Sequence, residues 1–233
     1  MPARPAANNR QWLMIGGGVL VLLIVAVMAF LYWPRGVNIQ ASGTPTGAQP
    51  ASAALSAELA QAGPLGDRTL GDPKAPNVVI EYASMTCPHC QAWNEQVFPQ
   101  LKAKYIDTGK VYFIFRDFPL DPVALSAVMI AHCVPDRFFP LIDLMFAQQA
   151  TWARSQDPTT ALQNLVRQAG IGQDQFRACL TNQSLLDGVN WSRERASKVL
   201  GVASTPTFFI NGAKVEGNQP LEALERRLVG LTS

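Results

Sequence analysis

The sequence predicts an α/β domain whose frame is split by an all-helical insertion, standing behind a single N-terminal transmembrane helix. Three observations carry that prediction. Strand-like runs occur at residues 77–118 and again at 207–216, with helical signals alone from about 120 to 200. In the first cluster a strand, a helix and a second strand follow one another, the order of a parallel pair joined by a crossover. Ahead of them, Trp12 to Trp33 is almost wholly apolar and carries no charge.

At a helical rise of 1.5 Å, about 22 residues reach roughly 33 Å, enough to cross a bilayer core. Arg4 and Arg10 precede the run and Arg35 follows it, so residues 1–11 are expected as a cytoplasmic tail and the rest of the chain outside. A cleaved signal peptide is the rival reading, since Val27-Met28-Ala29 imitates a cleavage site, but the apolar run continues through Trp33. Both readings export the remainder. Residues 34–63, rich in Ala, Ser, Thr, Gly, Pro and Gln, read as a flexible linker with at most a weak helix over 51–62. Residues 64–233 suffice for one domain with a buried core. The net charge of +2 carries no signature of nucleic-acid binding.

Within the domain, Asn77 to Ala83 is expected as a buried central strand, and Cys87 to about Asp107 as a helix kinked at Pro99. Val111 to Phe118 alternates as a second strand. Asp121-Pro122 starts a helix that Pro135 stops, Asp136 restarts one through about Gln149, and Asp157-Pro158 begins another ending at Gly170. Two more helices fit Gln173 to Leu180 and Ser184 to Leu200, closed by Gly201. Strands return at Thr207 to Ile210 and Lys214 to Glu216 around Asn211-Gly212, before a terminal helix from Pro220 to Val229.

Cys87-Pro88-His89-Cys90 places two thiols about one helical turn apart where strand passes to helix, a geometry in which a disulfide opens and closes with little backbone movement. Haem attachment would need His in place of Gln91. A structural zinc would need two further ligands, and His132 is the one other histidine. At the helix start Cys87 is the candidate nucleophile, with Cys90 the buried partner; a purely structural bridge is the alternative, although so short a loop removes little unfolded-chain entropy. His89 reads either as an ordinary exposed residue or as a group that lowers the Cys87 thiol pKa. Glu81, in an otherwise buried strand, reads as surface-facing or as a carboxyl with raised pKa that manages the Cys90 proton. Export makes a Cys133–Cys179 disulfide the default over two free thiols.

The strand, Cys-x-x-Cys helix and strand order, followed by Thr205-Pro206 just ahead of Thr207-Phe208-Phe209-Ile210-Asn211-Gly212, resembles thioredoxin-fold oxidoreductases. Together with the Cys-Pro-His-Cys motif, the helical insertion, Glu81 and export, it is similar to the DsbA family of bacterial disulfide-bond oxidases over 64–233. The resemblance implies a thioredoxin-like fold and a cis peptide before Pro206, with Thr205 offering its backbone to an extended substrate. It implies a thiol:disulfide oxidase acting on reduced exported proteins at the bacterial inner membrane, catalytic domain in the periplasm, and reoxidised by a DsbB-type membrane partner. No metal or organic cofactor is implied. Thr205 also occurs in isomerases of the superfamily, so an isomerase or a pathway-specific reductase is the alternative, and a non-catalytic holdase or docking module is the alternative of another class.

Overall fold

The computed structural model describes residues 49–230, with side chains from residue 54 onward. Residues 1–48, and with them the tail, the apolar segment 12–33 and the first part of the linker, lie outside the described residues. Among the described residues no single helix is long and apolar enough to cross a membrane.

Five strands form one sheet: β1 (Arg68–Leu70), β2 (Asn77–Ala83), β3 (Val111–Asp117), β4 (Thr207–Ile210) and β5 (Ala213–Glu216), in the order β1-β3-β2-β4-β5. Only β2 and β3 run parallel, and the helices between them supply the required crossover. These are α2 (Pro88–Gln96), α3 (Phe98–Leu101) and a five-residue π-helical turn, Lys102–Ile106. The single helix expected over 87–107 is therefore broken. Pro99 cannot donate to the carbonyl of Glu95 and its ring crowds that carbonyl, which separates α2 from α3 at Val97. The Asp107 N–H then closes on Lys102 O, one residue farther back than an α-helix would allow.

Side chains alternate between the two faces of β2, so Val79, Glu81 and Ala83 share one face, and Ile80 and Tyr82 the other. The first face packs with Phe113, Phe115 and Phe208 against α2, α3 and the insertion, around the fully buried Trp93. Each such large apolar side chain contributes about 1.5–3 kcal/mol of burial free energy. The second face, with Ile114 and Phe209, is covered by Leu200, Val202 and the N-terminal helix α1 (Gln49–Ala60). α1 falls where the linker reading over 34–63 allowed a weak helix at 51–62; its docking on the sheet was not expected. Leu59 is buried on the sheet, and the Arg195 guanidinium pairs with both the backbone carbonyl and the carboxylate of Glu58.

The insertion comprises α4 (Pro122–Cys133), α5 (Phe138–Ala147), α6 (Gln149–Trp152), α7 (Pro158–Gln168), α8 (Gln173–Leu180) and α9 (Gln183–Lys198). Asp121, Asp157 and Asn182 cap three of these by accepting from backbone N–H groups of the first turn. The expected helix over 136–149 is preceded by a 3-10 turn, Pro135–Arg137, and ends at Ala147, and the terminal helix shortens to α10 (Leu221–Glu225). Gly188 lets the chain before β1 lie against α9, since a Cβ there would stand 2.4 Å from Leu65 Cγ.

β1 escaped the sequence reading because three residues carry no periodicity. It is secured by side chains: Arg116 makes a two-toothed ion pair with Asp67, at 2.8 and 2.9 Å, and donates to the Tyr82 hydroxyl. Next to it Arg68 Nε donates to His132 Nδ1 at 3.2 Å, which leaves Nε2 of His132 to donate to Asp117 at 2.7 Å. His132, adjacent to Cys133, is a buried structural residue in this arrangement.

Candidate active site

β2 ends at Ala83, and a short loop carries the chain into α2. Cys87 is the residue that caps it: its backbone is extended (φ −78°, ψ 119°), its N–H donates to Ser84 O at 3.1 Å, and Pro88 follows at the first helical position, where no N–H is needed. The Cys87 sulfur accepts from the Cys90 N–H at 3.4 Å, and as a thiol it donates to Thr205 O at 3.3 Å. Cys87 and Cys90 are free thiols; Cys90 is wholly buried and Cys87 is 4% exposed. The two sulfurs thus differ in access, one at the surface end of α2 and one a turn deeper.

Their acidities differ in the same sense. Cys87 is lowered from an ordinary 9.0 to about 5, chiefly by hydrogen bonding from the Cys90 thiol, against the opposing effect of burial. The Thr205 side chain adds to this, although among the described residues its buried Oγ1 meets no partner at hydrogen-bonding geometry, and the N–H groups of Cys90 and His89 add the rest. Cys90 is pushed well above the ordinary thiol range by burial first, then by the Cys87 thiol and by Glu81. One thiolate beside one thiol is the resting state of such a pair near neutral pH.

Glu81 is buried on the same sheet face as Cys87 and Cys90, not surface-facing, and burial followed by the charge of Cys87 holds its carboxyl well above the usual range. Its Oε1 has no hydrogen-bond partner among the described residues. His89 is exposed, and its backbone N–H is the smallest of the groups that lower the Cys87 thiol. The Thr205-Pro206 peptide is cis and places the Thr205 carbonyl on the Cys87 sulfur. Cys133 and Cys179 are joined by a disulfide, well apart in sequence from the thiol pair, tying the end of α4 to α8. Among the described residues no cluster of three or more His, Cys, Asp or Glu side chains could hold a metal ion.

Sequence reasoning missed the groups that hold the loop. Ser84 Oγ accepts from Leu120 N, Thr86 donates to the Asp121 carboxylate at 2.5 Å, and buried Gln149 donates from one nitrogen to both Met85 O and Cys87 O. Asp121 was legible as a helix cap, but its second carboxylate oxygen was not assigned. Gln149 carried no signal beyond a polar residue following an apolar run.

The family model described as Thioredoxin matches residues 65–228. A Rickettsia conorii protein provisionally named a protein-disulfide oxidoreductase is 32% identical over 160 residues, 68% of this chain and 57% of its own length, so the chain spans little more than half of that relative. Among solved structures, alpha-DsbA1 of Wolbachia pipientis superposes with a TM-score of 0.64 at 36% identity, over 69% of this chain and 87% of its own. A protein-disulfide isomerase from Novosphingobium aromaticivorans matches at 0.62 and 26% identity, over 71% and 96%.

Proposed function

Because the chain belongs to the DsbA family of thioredoxin-fold proteins, we propose that it is a thiol:disulfide oxidoreductase that introduces disulfide bonds into exported proteins. The observation that carries this reading is the split between Cys87, held at about 5, and Cys90, held well above the ordinary range. A sulfur with so low a pKa is a good leaving group, so a mixed disulfide at Cys87 resolves toward the substrate disulfide and the reduced enzyme.

In the oxidised enzyme a substrate thiolate attacks the Cys87 sulfur, the Cys87–Cys90 bond breaks, and Cys90 leaves with the bonding pair. Glu81, whose burial favours the protonated carboxyl, is the proton source on the Cys90 side and regains its proton from solvent. A second substrate thiolate then attacks the substrate sulfur of the mixed disulfide, and Cys87 leaves as the stabilised thiolate. Two electrons pass from the substrate dithiol to the enzyme, which keeps one proton on Cys90 and leaves Cys87 ionised. Thr205, beside the cis-Pro206 peptide, offers the backbone edge against which an extended substrate aligns at Cys87. The apolar segment 12–33 tethers the domain on the extracytoplasmic side of the bacterial inner membrane, where a DsbB-type partner reoxidises Cys87–Cys90 and tethering raises the encounter rate.

Thr205, together with likeness to a protein named as an isomerase, favours disulfide isomerisation as the second reading. Redox titration of the Cys87/Cys90 pair against glutathione separates the readings. A potential near that of DsbA, about −120 mV, with rapid oxidation of a reduced test protein supports the oxidase. One near thioredoxin's, about −270 mV, overturns it in favour of a reductase. Rescue of a scrambled test protein that outpaces oxidation of the reduced one assigns the isomerase.

A further inference from the structure

Two carbonyl oxygens of the loop that leads into α2 accept from the same atom. Met85 O and Cys87 O lie 2.9 and 3.0 Å from Gln149 Nε2, so both hydrogens of that amide are used, and Gln149 is only 1% exposed. Gln149 opens α6 and reaches the loop from the helical insertion, 62 residues from Cys87 in sequence. The Cys87 carbonyl accepts a second bond, from Gln91 N at 3.1 Å, as the first rung of α2. Both of its lone pairs are occupied, one by the helix it begins and one by the insertion.

We propose that Gln149 is a positioning residue: by fixing the Cys87 carbonyl it sets the direction of the Cα–Cβ bond and holds the sulfur against the Cys90 N–H. The inference rests on the thiol–disulfide reading of the same site. Cys87 caps α2 with an extended backbone, and Pro88 has no N–H with which to restrain the peptide between them. The Cys87 N–H to Ser84 O bond holds one side of the residue; on the other, Gln149 and Gln91 N hold the carbonyl from two directions. The second effect is electrostatic. Two carbonyl dipoles of the loop are gathered on one nitrogen, and the positive end of the Gln149 amide neutralises both. Without it Met85 O is left unpaired and Cys87 O keeps only the bond from Gln91 N, the backbone around Cys87 turns, the 3.4 Å bond from Cys90 N lengthens, and the thiolate loses part of its support.

The other titratable groups facing Cys87 are Cys90 on α2 and Glu81 on β2, with exposed His89 alongside; a change at Gln149 leaves all three in place. Gln149→Leu keeps the volume and removes the donors, and Gln149→Met does so with an unbranched chain. In the reduced full chain, the thiolate absorbance and the alkylation rate of Cys87 are followed against pH. We expect the variant's profile to move to higher pH, so that alkylation at about pH 5 slows roughly two- to fivefold, as a shift of about half to one pH unit implies. Gly188→Ala, a packing change remote from the loop in sequence, serves as control and should lower stability with an unmoved profile.

A Gln149→Leu profile that coincides with that of the parent in a folded protein overturns the positioning role while leaving the oxidoreductase reading intact. A parent chain in which Cys87 ionises no more readily than an ordinary thiol overturns the reading itself. Failure of both Gln149 variants to fold assigns the residue to stability alone and also overturns the proposal.

Discussion

The acidity of Cys87 makes the stability of the reduced protein depend on pH with a definite sign. The folded thiol is held at about 5 against an ordinary 9.0, so folding favours the thiolate. The unfolded chain binds more protons throughout that interval, and stability rises with pH within it. The contribution is complete above about pH 9 and is lost as pH falls through about 5. At about pH 7, two tenfold steps above the folded value, its ceiling is about 2.7 kcal/mol. The sulfur sits beside exposed Pro88 and His89, and solvent screening reduces this to about 1–1.5 kcal/mol. For a domain of this size that is about 3–6 °C in Tm. The perturbation is Cys87→Ser, which keeps the cap but does not ionise, compared with the reduced parent by thermal unfolding from about pH 8 to about pH 4.5. The parent's advantage at about pH 7 should shrink by that amount toward acid, and repeating the pair in a Glu81→Gln background removes the titration of the one nearby carboxylate. A difference that stays constant with pH, or grows as pH falls, would refute the reasoning.

Three further outcomes follow from the packing. Glu81→Gln should stabilise the protein at neutral pH by about 1–3 kcal/mol in denaturant melts, because a carboxyl whose folded pKa is raised costs stability above its unfolded value; the gain should fade toward about pH 4, while disulfide exchange slows. Replacing Cys133 and Cys179 together by Ser opens a loop with sequence separation 46 and should cost about 4 kcal/mol in the chain-entropy model, with Cys87 alkylation kinetics unchanged. Gly188→Ala should cost about 1–3 kcal/mol, and adding Leu65→Ala should recover part of it in a double-mutant cycle, because the new Cβ meets the end of that side chain.

Where local chemistry decides the structure, the sequence was legible. Asp121-Pro122 and Asp157-Pro158 start helices because a carboxylate cap and a proline at the first position both satisfy the free N–H groups there. β2 was readable because its apolar run is buried on both faces, and Cys87 and Cys90 because their spacing belongs to one helical turn. What escaped depends on contacts between distant residues. β1 exists because Asp67 and Arg68 find Arg116 and His132, a pairing that no three-residue pattern encodes. The docking of α1 needs Arg195 and Phe209, and the loop clamp needs Gln149, each brought in from far along the chain.

The docking of α1 also bears on the order in which the molecule is made. Glu58 leaves the ribosome long before Arg195, its partner 137 residues later, and Phe209, on the strand beneath the helix, later still. Until those residues exist, α1 lacks the part of its surface that they supply, and a helix this short has little stability alone in water. Vectorial synthesis therefore leaves the first described element waiting on residues made late. Closure of α1 ties the start of the domain to α9 and β4 over the second sheet face and serves as a record that translation has run to β4. A nascent chain arrested before Arg195 should keep α1 open to protease, and one released past β4 should protect it.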